Sequence, residues 1–180
     1  YRFRSHLVRQ GDVADDIHWA TLAVAGKKYF AIHPKVALGV ESDVVVSTRK
    51  LLRDYNAAIV GASAFNPTPS SYNAFNPAFR ANSYVTAGVV PVWNVSGLLQ
   101  LRLSMHAFMP FRRIGIDPSS GYACYGRWFS DPEFFGELAA VYSFPFASLS
   151  AYCNYMSYPA RNWNVGVSFG IFILAPEFLK

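Results

Sequence analysis

Residues 97–109 read Gly-Leu-Leu-Gln-Leu-Arg-Leu-Ser-Met-His-Ala-Phe-Met. Leu99, Leu101, Leu103, Met105, Ala107 and Met109 share one face of an extended chain, and Gln100, Arg102, Ser104 and His106 share the other. Side chains alternate between faces along a strand, whereas a helix repeats about every 3.6 residues. This stretch therefore reads as a strand with one apolar and one polar face. The same alternation recurs near the end of the chain, where Trp163, Val165, Val167, Phe169, Ile171 and Ile173 alternate with Asn162, Asn164, Gly166, Ser168 and Gly170. Around 36–48, Val36, Leu38, Val40, Val44 and Val46 oppose Glu41, Asp43 and Ser47.

Working outward, 134–144 sets Gly136, Leu138, Ala140, Tyr142 and Phe144 against Glu137 and Ser143. Residues 147–155 set Leu149, Ala151, Cys153 and Tyr155 against Ser148, Ser150 and Asn154. Segments 17–32 and 83–93 have β composition without clean faces, and 1–8 adds a further strand. About eight strands result, many near the roughly 9–11 residues of a tilted membrane strand. Tight links at His33-Pro34-Lys35, Asn94–Ser96 and Pro145 alternate with longer ones at 10–16, 49–80, 110–132 and 158–161. Short turns on one rim and long loops on the other are the pattern of an outer-membrane barrel. An even strand number puts both chain ends on the short-turn, periplasmic side. The spacing also predicts a short helix within 50–60. The near-repeat Ala64-Phe65-Asn66-Pro67 and Ala74-Phe75-Asn76-Pro77 marks a turn-rich loop.

Alternation alone leaves open whether the apolar face meets a core or lipid. The composition weighs on this: hydrophobic residues make up 52% of the 180 and charged ones only 15%, against about 25% charged in ordinary soluble domains. In a soluble sandwich the second face would be the water surface, yet 162–170 offers Asn, Asn, Gly, Ser and Gly there. A barrel lumen accepts such residues. It also accepts Glu41, Asp43, Gln100, Arg102, Ser104, His106 and Glu137, predicted as lumen-lining. The predicted lipid-facing set is Leu99, Leu101, Leu103, Met105, Trp163, Val165, Val167, Phe169, Ile171 and Ile173. An Arg or Lys on that face at mid-membrane costs about 2–4 kcal/mol, and none of the three clearest strands places one there. Trp93, Trp163, Tyr155 and Tyr158 lie near strand ends, as an interfacial aromatic girdle would. The fold class expected is all-β: an antiparallel transmembrane β-barrel segment over 1–180, with 49–80 and 110–132 as long extracellular loops.

No catalytic constellation is found. Gly61-Ala62-Ser63-Ala64-Phe65 begins like a nucleophile elbow but ends in Phe. His6, His18, His33 and His106 are scattered, and His106 reads as a paired lumen residue. Glu41 and Asp43 share a face and read as partners for arginines. Asp12, Asp15 and Asp16 read as a solvated acidic loop. Lys27-Lys28 and Arg112-Arg113, placed near strand ends, either meet lipid or lipopolysaccharide phosphates or are simply solvated. Cys124 and Cys153 form no metal-ligand spacing. The net charge of +5 is dispersed in pairs, which argues against nucleic acid as a partner. No cofactor and no metal site is expected, and the chain reads as part of a longer protein.

Five stretches carry a family resemblance: Tyr-Arg-Phe-Arg-Ser-His at 1–6, Lys-Val-Ala-Leu-Gly-Val-Glu at 35–41, Ser-Thr-Arg-Lys-Leu-Leu at 47–52, Phe-Asn-Pro-Ala-Phe-Arg-Ala-Asn-Ser-Tyr at 75–84 and Asn-Trp-Asn-Val-Gly-Val-Ser-Phe-Gly at 162–170. With them the chain resembles the C-terminal, surface-antigen-type barrel of patatin-like phospholipases of Bacteroidetes. The resemblance implies a barrel of about sixteen strands, of which this chain is the C-terminal half. It also implies a periplasmic lipolytic domain upstream, so catalysis would belong to the parent and not to this segment. Val8-Arg9-Gln10-Gly11 matches only part of the Val-Arg-Gly-Phe/Tyr motif of related transporters and assembly factors. The chain ends Glu177-Phe178-Leu179-Lys180, short of the terminal aromatic that many barrels present to the assembly machinery. The partners expected are outer-membrane lipids and lipopolysaccharide, the rest of the barrel, the upstream domain and the barrel-assembly machinery. Two other functions stay open: a transport barrel passing a polypeptide or small solute, and a soluble β-barrel binding an apolar ligand.

Overall fold

The computed structural model describes the backbone of residues 2–8, 17–73, 75–157 and 162–171, and the side chains of 18–72, 75–157 and 162–171. It is an all-β, antiparallel structure. The strands are β1 (Arg2–Val8), β2 (Ile17–His33), β3 (Val36–Ser47), β4 (Ser63–Ala64), β5 (Arg80–Ala81), β6 (Tyr84–Asn94), β7 (Leu99–Pro110), β8 (Arg112–Ile116), β9 (Ala123–Trp128), β10 (Glu133–Ser143), β11 (Ala147–Met156) and β12 (Trp163–Ile171). Eight of them form one sheet in the order β1-β2-β3-β6-β7-β10-β11-β12. Each is paired to its predecessor in that sheet, so the sheet is an up-and-down meander. Among the described residues β1 and β12 are its two edges, with no pairing between them.

The meander alternates its connections as the sequence predicts. The links after β2, β6 and β10 are short and lie at one edge. Those after β3 and β7 lie at the opposite edge and carry structure of their own. The register fixes the faces: Leu103 pairs with Leu138, Met105 with Gly136, and Ser104 with Glu137. Along β12 the odd residues are all exposed, from Trp163 to Ile171, with Val165 reaching 81%. A large exposed apolar surface of this kind marks an interaction or membrane surface. No helix among the described residues is long and apolar enough to cross a membrane, which bears on helices only.

The link from β3 to β6 holds α1 (Tyr55–Gly61), the β4–β5 pair and two 3-10 turns at Pro69–Asn73 and Pro77–Phe79. The helix lies slightly later than the 50–60 segment proposed from sequence. Asp54 sets its start, its side chain accepting from the Ala57 N–H at 2.7 Å, an N-cap worth about 1 kcal/mol. Its buried face, Ala58 and Ile59, packs with Ile114 of the β8–β9 hairpin. The remainder of this link folds back over the polar face of the sheet. Phe65 and Phe79 are buried there with Tyr84, Phe108 and Phe135. Aromatic side chains bury a large area each, and this cluster replaces water over the loop-side half of the polar face.

Candidate functional site

Two polar rows cross the polar face. In the first, Lys27, Glu41, Gly88 and His106 lie opposite one another on β2, β3, β6 and β7. Lys27 Nζ donates to Glu41 Oε2 at 3.0 Å, and Tyr29 Oη donates to Glu41 Oε1 at 3.0 Å. His106 Nε2 lies 3.3 Å from Glu41 Oε2. Glu41 and His106 are two strands apart, and they meet because the residue between them is glycine. A Cβ on Gly88 would stand 2.1 Å from His106 Cδ2. The polar face repeats this device: the Tyr152 ring lies over Gly166, and the Tyr29 ring over Gly39. The glycines on this face thus have a packing reason.

In the second row Glu137 is 2% exposed and accepts from three groups. Arg102 Nη2 approaches its Oε1 at 3.4 Å, and Thr68 Oγ1 donates to Oε2 at 2.8 Å. The Ser70 hydroxyl makes a short contact to the same oxygen, and Asn154 Nδ2 donates to Ser70 Oγ at 3.3 Å. This carboxylate therefore fastens the Thr68–Ser71 turn to β7, β10 and β11. A buried carboxylate needs such partners, because an unpaired one would be expelled or protonated. At the loop edge, Glu133 binds Arg113 and the Ser157 hydroxyl.

The sequence-predicted lumen set thus divides. Glu41 pairs with His106, and Arg102 pairs with Glu137. Ser104 is buried opposite Glu137. Asp43 stands two residues beyond Glu41 on the same face of β3, its N–H donating to Thr86 Oγ1 at 2.9 Å. Gln100 is set apart near the short turns, donating to Asn94 Oδ1 at 3.0 Å. On the other face Leu103, Met105, Trp163, Val165, Val167, Phe169 and Ile171 are exposed, and Leu99 and Leu101 are partly exposed. Ile173, Tyr158, Phe178, Asp12, Asp15, Asp16 and Val8-Arg9-Gln10-Gly11 lie in part or wholly outside the residues whose side chains are described.

Two expectations need correcting. Glu41 and Asp43 meet no arginine among the described residues: Glu41 pairs with Lys27 and His106, and Asp43 enters no ion pair. Lys27 and Lys28 are not at a strand end but inside the 17-residue β2. Lys27 turns to the polar face and Glu41. Lys28 turns to the apolar face, with its Nζ 5.1 Å from the centre of the Phe30 ring. Phe30 is two residues nearer the short-turn edge, so the amine leans toward that edge, as a snorkelling lysine does. Cys124 and Cys153 are both free thiols.

Sequence reasoning missed the docking residues Phe65, Thr68 and Ser70, because a turn-rich loop has no period to read. A signal existed on the sheet: Phe108 and Phe135 interrupt the polar face, and both lie under the loop. The Phe65 ring stacks 5.8 Å from Phe108 and meets the His106 ring edge-on at 5.7 Å. Phe65→Ala should destabilise the docked loop by about 3–5 kcal/mol. Denaturant titration checks this; a shift below about 1 kcal/mol would mean that the site collapses around the smaller side chain.

At the loop edge the Asp117 carboxylate accepts from the Ser119 N–H at 3.0 Å and from the Ser119 and Ser120 hydroxyls. These bonds hold its carboxyl below the usual range. The turn's extra stability is present above the ordinary aspartate pKa and is lost as pH falls through the lowered one.

As arranged, these groups pair charges and hold a loop. The one hydrogen bond of the His106 ring among the described residues is to the Glu41 carboxylate. No group of three His, Cys, Asp or Glu among the described residues is placed to hold a metal. Comparison with protein-family models, with curated proteins and with solved structures finds no match.

Proposed function

We propose that the chain is part of a transmembrane β-barrel that anchors its parent protein in the outer membrane of a Gram-negative bacterium. One observation carries this reading: an exposed apolar face spans the sheet, while the ion pairs lie on the opposite face, half of it under the chain's own loop. A soluble barrel binding an apolar ligand would cover its apolar face, whereas here the chain's own loop lies over the charged one. Aromatic residues bracket the apolar face, with Phe134, Tyr155 and Trp163 toward the loops and Trp93, Tyr142 and Phe144 toward the short turns. Phe134 and Tyr142 are about 27 Å apart along β10 at about 3.4 Å per residue. Tilted by about 40°, that span rises about 21 Å, a little less than the roughly 25 Å apolar band between the aromatic girdles of a barrel.

The inner loop also bears on size. A closed eight-stranded barrel has room for little more than its own side chains. A segment with two 3-10 turns and an aromatic core asks for a wider lumen, so we place further strands between β12 and β1. The lipolytic cargo rests on the family resemblance alone.

Heat-modifiable migration tests the membrane reading. The detergent-extracted protein should run faster unheated than boiled, and a protein that stays in solution without detergent would end it. A second reading, passage of a solute or polypeptide, is favoured by the half of the polar face beyond the loop. There Lys27 remains 53% exposed at its side chain, and the Ser150 and Ser168 hydroxyls pair in the open. Deleting 62–82 should raise conductance if that reading holds and leave insertion intact.

A further inference from the structure

The β8–β9 hairpin rises from the loop edge of β7 and β10, and its base is built around one arginine. Arg112 lies opposite Trp128. Its guanidinium stands 4.7 Å from the Tyr125 ring centre and 5.5 Å from that of Trp128. Arg112 Nε donates to the Gly126 carbonyl at 3.3 Å, which fixes the plane. No ion pair or further hydrogen bond engages its terminal nitrogens among the described residues. Neighbouring cations differ: Arg113 is spent on Glu133, and Arg80 on the carbonyls of Ile59, Val60 and Ala62. Arg112 is thus held rigid with both terminal NH2 groups, four N–H donors in all, left over.

Its surroundings are those of a headgroup site. A cleft of about 200 Å³ opens beside it, with Ser47, Asn82 and Ser83 on its polar side and Phe111 and Trp128 on its apolar side. Beyond it the chain turns at Phe129 and Asp131, both with left-handed backbone (φ +49° and +59°). A bulky side chain rarely adopts that conformation. Here it leaves Trp128 63% and Phe129 55% exposed. The Phe129 ring rests 5.0 Å from that of Phe111, and its N–H donates to the Phe111 carbonyl at 2.9 Å. Trp is enriched at membrane–water interfaces, at the headgroup level, and Trp128 closes β9 just before the chain re-enters the large sheet at β10. A planar guanidinium with free donors matches a phosphate's oxygens.

We propose that Arg112, with Trp128 and Phe129, binds the phosphate of a lipid headgroup at the outer surface of the membrane. The proposal rests on the membrane reading for where this edge lies, but not for its chemistry. The ring contacts keep the guanidinium in place before any ligand arrives, so little ordering remains to be done on binding. The aromatic pair supplies the contact with the glycan or acyl part that free phosphate lacks. This selects a lipid over an inorganic ion.

The test titrates the detergent-extracted full-length protein with diphosphorylated lipid A, read by tryptophan fluorescence. Saturable binding is expected for the wild type, about fivefold to tenfold weaker for Arg112→Gln, since a single surface cation is worth about that factor. Arg112→Lys should fall between, because it keeps the charge and loses the fork. Lys50→Gln should be unchanged, as Lys50 forms no ring contact among the described residues. Trp128→Ala, followed by calorimetry because it removes the fluorescent reporter of the site, should weaken lipid A binding with the charge intact. Equal affinity for the wild type and Arg112→Gln would overturn the proposal, as would displacement of lipid A by an equimolar amount of inorganic phosphate. The titration can be run with or without detergent. Lipid A binding by a protein that never partitions into membranes would therefore overturn the membrane reading alone.

Discussion

Gly88→Ala should cost about 3 kcal/mol, measured as the shift in urea midpoint times slope for the detergent-bound protein. The added methyl group would meet the His106 ring at 2.1 Å from Cδ2 and 2.6 Å from Nε2. The ring cannot swing aside, because Phe65 and Phe135 flank it with centroids at 5.7 and 6.2 Å. Overpacking of this kind costs about 1–3 kcal/mol. Displacing the imidazole also breaks its bond to Glu41, and a hydrogen bond to a charged group is worth about 1.5–3 kcal/mol. Gly39→Ala is the contrast: its Cβ would stand 2.6 Å from the Tyr29 ring, but Tyr29 is 51% exposed, so its ring can shift into open space and water can replace its bond to Glu41. That change should cost under about 1 kcal/mol. If the His106 contact is the cause, Gly88→Ala and His106→Ala will be strongly non-additive, because the second removes what the first collides with. Simple additivity would put the cost elsewhere in β6.

The same residues show what could be read from the sequence. In β12, and in β7 as far as His106, the faces are legible because each side is uniform, and neighbouring strands in the chain are neighbours in the sheet. Glu41, His106, Arg102 and Glu137 could be assigned to one face by parity. Their pairing could not: whether Glu41 reaches His106 depends on register across β6 and on Gly88 being bare. β2 resisted reading because Lys27 and Lys28 are adjacent and therefore point to opposite faces. One is paired to Glu41, and the other leans over Phe30. The β3–β6 loop is the larger gap. Thr68 and Ser70 look like ordinary turn residues, and only their partner Glu137, two sheet strands beyond β6, gives them a role.

Glu137→Ala should release that loop. The substitution removes the acceptor shared by Thr68, Ser70 and Arg102. Breaking a buried charge pair by deleting one partner costs about 3–5 kcal/mol. The lower end applies here, because the Arg102 side chain is 29% exposed and can be rehydrated. The loss should fall on the loop before the sheet, since the β7–β10 ladder runs on either side of Glu137 and does not depend on its carboxylate. Limited proteolysis should therefore cut within 66–72 at least tenfold faster, while heat-modifiable migration of the sheet persists. Glu137→Gln should sit between, since the amide oxygen still accepts from a hydroxyl but no longer neutralises Arg102. Single-channel recording then separates the two functional readings. If the loop fills a lumen, Glu137→Ala raises the conductance or its flicker. If the mutant shows faster cleavage and an unchanged current, the loop covers one face without closing a path, and anchoring alone survives. Unchanged cleavage would mean that the aromatic cluster around Phe65, and not the carboxylate, holds the loop down.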